Sequence, residues 1–137
     1  MKRLTLGKNK RLVSNEQFKR VLAQRVSARN GLLAAYIAHN EYDFSRLGVS
    51  VGKSCGNAVV RNRFKRLIRE AFRLSQDEIP AGFDYLLMVS PNWAKRLHRT
   101  NGDIKNPSQP TLEQITASFN TVIRALCEKM EQKHLDS

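Results

Sequence analysis

The sequence predicts a mixed α+β fold, a single two-layer α/β sandwich with the element order α-β-β-β-α-β-α. The chain has 137 residues, a length that suits one domain with one core. Hydrophobic residues make up 41% of it, which is enough to fill such a core. Segments with helical periodicity alternate with segments in which every second residue is apolar. We find no internal repeat and no linker, so residues 1–137 are treated as one domain.

The first helix follows a basic N-terminal segment, residues 1–13. Ser14 is a typical N-cap residue, and Gln17 stands three positions later, where a capping box requires it. Phe18, Val21 and Leu22 share one face of the predicted helix. This face is expected to pack against the rest of the domain.

Two strands are predicted next, the first at residues 32–39 with a possible short partner near Val26. Residues 46–53 alternate strictly between apolar and small residues, which indicates a strand with one buried face. The small residues on its other side are Gly48, Ser50 and Gly52. We expect them to leave that sheet face open and to leave Tyr36 of the neighbouring strand uncovered.

A long helix is predicted from its N-cap Asn57 to about Ser75, after Gly56 ends the strand segment. Its apolar stripe, which is expected to be core, contains Val60, Phe64, Leu67, Ile68, Ala71 and Phe72. Residues 84–90 then read as a buried strand. Residues 91–110 are polar, hold three of the four prolines and predict a long loop. A last amphipathic helix begins near Leu112 and includes Met130.

The charge of the chain predicts a polyanionic partner. There are 24 Lys and Arg against 12 Asp and Glu, which gives a formal charge of +12. Such a domain repels itself until a polyanion binds, and nucleic acid is the usual one, with a membrane surface as the rival. No apolar run approaches the roughly 20 residues that span a bilayer, and residues 1–14 do not resemble a signal peptide. We therefore expect a cytoplasmic protein without a membrane partner.

The cysteines and histidines do not predict a metal or redox site. Cys55 and Cys127 belong to no C-x-x-C pair, which favours two reduced, structural thiols. The three histidines lie far apart in the sequence, whereas zinc requires clustered ligands. No pair of carboxylates has a spacing that suggests a two-metal catalytic site.

The most informative segment is the helix at residues 59–73, in which Glu70 is the only acidic residue. At 100° per residue, the side chains that face away from the apolar stripe are Asn62, Arg66, Arg69 and Arg73. Lys65 lies beside them, and Arg61 and Arg63 lie at the edges of the stripe. A solvated helix face would be the ordinary interpretation of a charge run. Nucleic acid is favoured because one sign dominates and because the planar guanidinium of Arg can bridge two phosphate oxygens.

Residues 46–73, RLGVSVGKSCGNAVVRNRFKRLIREAFR, resemble the signature of the bacterial ribonuclease P protein family. The most specific part is the Arg-Asn-Arg core at residues 61–63, and the resemblance extends to the first helix and to the strands that contain Tyr36 and Tyr85. The family usually has a Ser followed by two basic residues where this chain has Gly52, Lys53 and Ser54. The loop at residues 91–110 is also longer than usual.

The resemblance implies a left-handed βαβ crossover and the role of protein subunit in an endoribonuclease holoenzyme. The RNA subunit would carry catalysis and hold most of the Mg²⁺, with no catalytic residue in the protein and no further protein partner required. The protein would bind this catalytic RNA and the 5′ leader of precursor tRNA, and would promote removal of the leader. The implied RNA-docking residues are Arg61, Asn62, Arg63, Lys65, Arg66 and Arg69. The implied leader-binding residues are Phe18, Tyr36, Ser50, Lys53 and Asn57.

Three other functions remain open at this point. A ribosomal protein or general RNA chaperone would bind RNA without accelerating leader removal. A protein-only nuclease would cleave RNA with no RNA subunit present. A DNA-binding module would place the basic helix in a major groove.

Overall fold

The computed structural model describes residues 11–135 except 13, 25 and 91–109. The helices are α1 (Asn15–Ala23), α2 (Ala58–Ser75) and α3 (Leu112–Leu135), and a 3-10 turn covers Lys53–Cys55. The strands are β1 (Val26–Arg29), β2 (Leu33–His39), β3 (Arg46–Ser50) and β4 (Phe83–Val89). They form one sheet in the order β1-β2-β4-β3. The β3–β4 pair is parallel and is joined through α2, whereas the other two pairs are antiparallel.

The two faces of the sheet have different coverings. One face packs against α2 and α3 and forms the main core, whose large buried side chains include Phe64, Phe72, Tyr85 and Phe119. The other face carries a smaller apolar cluster, to which α1 contributes Val21. Helix α1 contacts β2 and β4. The sandwich of sheet and helices is therefore confirmed, and α1 adds partial cover on the outer face.

Local sequence signals predict the starts of α1 and α2 correctly. The Ser14 side chain accepts a hydrogen bond from the Gln17 amide at 3.2 Å, and the Gln17 side chain accepts one from the Ser14 amide at 3.1 Å. The Asn57 side chain likewise accepts from the Val60 amide at 3.1 Å. These bonds satisfy amides that have no partner inside their helices. Within the described ranges, no helix is long and apolar enough to cross a membrane.

Two details of the predicted sheet are wrong. The strand expected at residues 46–53 ends at Ser50, because the chain turns at Gly52 and the Cys55 amide donates to the Gly52 carbonyl at 3.1 Å. Tyr36 was expected beside that strand, but β4 lies between β2 and β3. The cross-strand partners of Tyr36 are Ser27 and Leu86.

Two further predictions concern the packing of α1 and the segment after β4. Leu22, predicted on the buried face of α1, is 40% exposed, since the helix lies on the sheet mainly through Val21. The long loop predicted at residues 91–110 falls outside the described residues except for Pro110.

A buried ion pair fixes the parallel register of β3 and β4. Arg46 and Asp84 are direct partners in this ladder, and two charge-assisted hydrogen bonds of 2.8 and 2.7 Å join their side chains. Asn40 donates a further bond to the same carboxylate at 2.9 Å. The hydrogen bond to Asp84 raises the pKa of the Arg46 guanidinium. The ion pair thus holds together the N-terminal ends of these two parallel strands.

Candidate functional site

The outer surface of α2 presents a group of exposed polar side chains, which we call the arginine face. Its members are Asn62, Arg63, Arg66 and Arg69. The helix faces outward here because Phe64, Ile68 and Phe72 anchor its opposite side in the main core. Lys65 and Arg61 are half-buried at the edge of the helix. The predicted separation of a basic face from an apolar stripe is confirmed.

Only one cation of this helix has an acidic partner among the described residues. Arg73 donates two hydrogen bonds to Glu70, the one from Nε at 3.0 Å. Arg63, Arg66 and Arg69 form no ion pair with any described side chain. Their charges are therefore available to a polyanion, whereas part of the charge of Arg73 is neutralised within the helix.

A shallow depression of about 520 Å³ lies along this surface. Besides three residues of the arginine face and the Glu70–Arg73 pair, Arg11 lines it. Arg11 is brought there because its neighbour Leu12 joins the outer edge of β3, where the Leu12 amide donates to the Leu47 carbonyl at 2.8 Å. Burial, together with the charge of Arg11, lowers the pKa of Arg69.

Three of the four residues of the arginine face line the depression, namely Asn62, Arg66 and Arg69. Arg63 is exposed outside the depression. Sequence periodicity could not reveal Arg11 as a neighbour, because the contact depends on an edge pairing between residues far apart in the chain. The depression thus gathers cations from two separate segments.

Arg61 differs from the exposed arginines. Its Nε atom is buried and has no hydrogen-bond partner among the described residues. The side chain lies near Cys55, whose thiol pKa is raised by burial even though the charge of Arg61 acts in the opposite direction. A buried donor without an acceptor is costly. Because the Nε atom is buried, an external acceptor would reach it only if the Arg61 side chain moved.

A second surface lies on the opposite side of the sheet, beside α1, and we call it the α1 cleft. Its members are Phe18 of α1 with Tyr36, Met88 and Ser50 of the sheet. The first three are half-buried apolar side chains that pack against the small outer cluster. Their remaining surface is accessible, which suits the stacking of planar groups.

Phe18 lies directly over β3. A Cβ atom added to Gly48 would stand 2.6 Å from Cε1 of the Phe18 ring, so only a glycine admits the ring at this distance. The sequence left open whether Phe18 belongs to the core or to a cleft. The structure places one edge of the ring on the sheet and leaves the side chain half-buried.

Three other predicted cleft residues lie at or after the C-terminal end of β3: Ser50, Lys53 and Asn57. Ser50 is half-buried and pairs with Met88 of β4, a strand more than thirty residues further along the chain. Lys53 is exposed in the 3-10 turn. Asn57 is exposed as well, and its side-chain oxygen is engaged in capping α2. Lys53 and Asn57 therefore lie between the α1 cleft and the first turn of α2.

Comparison with known proteins identifies one family. The family model described as Ribonuclease P matches residues 6–114. A ribonuclease P protein component from Alkaliphilus oremlandii is 41% identical over 79 residues, which are 58% of this chain and 69% of that protein. One from Brevibacillus brevis is 45% identical over 87 residues, 63% of this chain and 69% of that protein.

Solved structures show the same likeness in three dimensions. The Staphylococcus aureus RNase P protein superimposes with a TM-score of 0.68 at 31% sequence identity. The match covers 85% of this chain and 94% of that one. An RNase P protein from Thermotoga maritima gives a TM-score of 0.67 at 26% identity. That match covers 83% of this chain and 96% of the Thermotoga maritima chain.

Proposed function

Because the chain belongs to the ribonuclease P protein family, we propose that it binds the catalytic RNA subunit through α2 and the 5′ leader of precursor tRNA through the α1 cleft. In this way it promotes endonucleolytic removal of the leader. The observation that carries the proposal is the placement of two different surfaces on opposite faces of one sheet. One surface is cationic and the other combines aromatic side chains with a nearby lysine.

The arginine face suits a folded RNA. Arg63, Arg66 and Arg69 are exposed and form no ion pair with the described residues. Guanidinium groups bind phosphate oxygens in pairs, and several of them on one helix would follow an RNA backbone. Arg61, which is half-buried at the edge of the helix, belongs to the same proposed docking set. Asn62 and Lys65 complete the proposed docking set, to which the structure suggests adding Arg11.

The α1 cleft suits a single strand. Single-stranded nucleic acid is held by aromatic faces that stack bases and by cations that contact the backbone, at about 1–3 kcal/mol per stacked base. Phe18 and Tyr36 would supply the aromatic faces, and Lys53, which is exposed just after β3, would supply a cation. Ser50 and Asn57 would contribute hydrogen bonds at the β3 end of the cleft.

We further propose that the RNA subunit holds the Mg²⁺ used in hydrolysis. The described part of this chain contains no group of three or more His, Cys, Asp or Glu that could hold a metal ion. Its most buried carboxylate, Asp84, is already bound to Arg46. These residues do not fit a magnesium site. The protein's proposed contribution is binding of precursor and screening of RNA charge, in the cytoplasm and without another protein partner.

Reconstitution tests this function. The purified chain, mixed with a bacterial ribonuclease P RNA at low magnesium concentration, should increase cleavage of precursor tRNA at the mature 5′ end. The chain alone should leave precursor intact. Cleavage without RNA would indicate a protein-only nuclease, and RNA binding without faster cleavage would indicate a general RNA chaperone. Preferential binding of duplex DNA would support the DNA-binding alternative.

Two substitutions separate the two surfaces. Arg66→Ala should weaken assembly with the RNA subunit and reduce the salt slope of binding by roughly one unit, as expected for one lost phosphate contact. Arg124→Ala on α3 removes an equal charge from an exposed site elsewhere and should leave the slope nearly unchanged. Phe18→Leu should weaken binding of precursor more than binding of mature tRNA. An equal loss for both tRNAs would remove Phe18 from the leader site.

A further inference from the structure

The first turn of α2 contains the most exposed large apolar side chain of the described residues. Val59 is 77% exposed, whereas the others on the surface, Leu22, Tyr42 and Leu74, are between 40% and 50% exposed. Val59 is the second residue of the helix and follows closely on the N-cap Asn57. A valine in this position adds little to the core of its own chain.

The sequence of this turn departs from two local preferences of helices. An acidic residue near a helix N-terminus would be stabilised by the helix dipole, but the first turn of α2 contains none. Valine is a poor helix former because its branched side chain loses rotamer freedom. Its neighbour Val60 is half-buried and packs against the main core, so packing explains Val60 but not the exposed Val59. Departures of this kind are expected at functional sites.

Val59 lies on the same side of α2 as the arginine face. Residues three, four and seven positions apart are neighbours on a helix surface. Those that follow Val59 at these spacings are Asn62, Arg63 and Arg66, and all three are exposed. The exposed side of α2 therefore begins with an apolar side chain and an amide and continues with guanidinium groups. Guanidinium groups suit phosphates, whereas a valine side chain has no group that binds them.

We propose, on the basis of the proposed function, that Val59 packs against the base of an unpaired nucleotide in the catalytic RNA and so helps the protein to distinguish this RNA from others. In a paired A-form helix the base faces are covered by their neighbours, and the protein meets phosphates and 2′-hydroxyl groups. An apolar side chain on a docking helix gains contact area where a base is unstacked in a loop, bulge or end. Asn62, one turn further on, would hydrogen-bond the edge of that base.

The test measures binding of the purified chain to a bacterial ribonuclease P RNA and, separately, to a fully paired RNA duplex. Val59→Ser removes apolar surface without changing the charge. We expect affinity for the ribonuclease P RNA to fall about threefold to tenfold, as for the loss of part of a valine contact, and affinity for the duplex to stay the same. The salt slope should not change for either RNA, since it reports phosphate contacts. Val59→Ile keeps the apolar surface and should retain the affinity.

Two further variants distinguish this inference from the proposed function. Leu22→Ser removes an exposed apolar side chain from α1 and should leave affinity for both RNAs unchanged. Arg66→Ala should weaken binding of both and reduce both salt slopes. If Val59→Ser binds the ribonuclease P RNA normally, or loses affinity equally for both RNAs, the role of Val59 is overturned while the effect of Arg66→Ala still supports docking through α2. If Arg66→Ala also binds normally, docking through α2 is overturned together with the inference.

Discussion

Replacing Gly48 with alanine should disturb the α1 cleft without touching any charged group. The new Cβ would lie 2.6 Å from Cε1 of Phe18 and 3.0 Å from Cβ of Leu12. Carbon atoms in contact normally stand about 3.5–4.0 Å apart, so the Phe18 ring must move by about 1 Å. Overpacking of this kind costs about 1–3 kcal/mol of stability. The corresponding fall in Tm is roughly 3–10 °C for a domain of this size.

The loss of stability is measured by thermal unfolding, monitored by circular dichroism. The effect on the α1 cleft is measured by the binding of precursor and mature tRNA to the reconstituted holoenzyme. We expect Gly48→Ala to reduce the preference for precursor, since the displaced ring stacks poorly. Gly31→Ala is a matched control because, apart from its chain neighbours, no atom of the described residues lies within 4 Å of its added Cβ. Within the same described residues, Gly52→Ala meets only Ser54 Oγ at 3.8 Å. An unchanged Tm together with an unchanged preference would refute the close packing of Phe18 on β3.

Three further predictions concern the scaffold. Asp84→Asn should lower the free energy of unfolding in urea by about 3 kcal/mol or more, because it leaves the buried Arg46 charge without its counter-ion; a smaller loss than for an exposed Asp substitution would contradict this. Ser14→Ala should cost about 1 kcal/mol in the same assay through loss of the α1 cap, and no loss would mean that the cap is dispensable. Burial raises the pKa of Tyr85 above its unfolded value of about 10. Stability should therefore fall as pH rises through about 10, because the unfolded phenol ionises first, and Tyr85→Phe should reduce that fall.

The elements were predictable where the signal is local. Capping residues such as Ser14 and Asn57 mark helix starts through contacts with residues three positions away. The alternation around Leu47 and the helical stripe through Phe64 each report which side of an element is buried. Both residues lie in the main core, as their patterns predict.

The arrangement of the sheet was not predictable in this way. Nothing in the alternation of residues 46–50 shows that β4, which follows β3 by more than thirty residues, separates it from β2. Strand order depends on the crossover through α2, a non-local property. Met88 and Arg11 were missed for the same reason, because each joins its surface through pairing with a distant segment.

The separation of the two surfaces by the sheet leads to a last prediction about their energetic independence. Phe18 packs with the outer cluster and Arg66 projects from α2, which packs on the opposite face. Substitutions at sites without shared partners usually add to within about 0.5 kcal/mol. The loss in kcat/KM for Phe18→Leu combined with Arg66→Ala should therefore equal the sum of the single losses in free energy. Strong non-additivity would mean instead that docking of α2 on the RNA reshapes the α1 cleft through β3, which contacts α2 and carries Gly48 beneath Phe18.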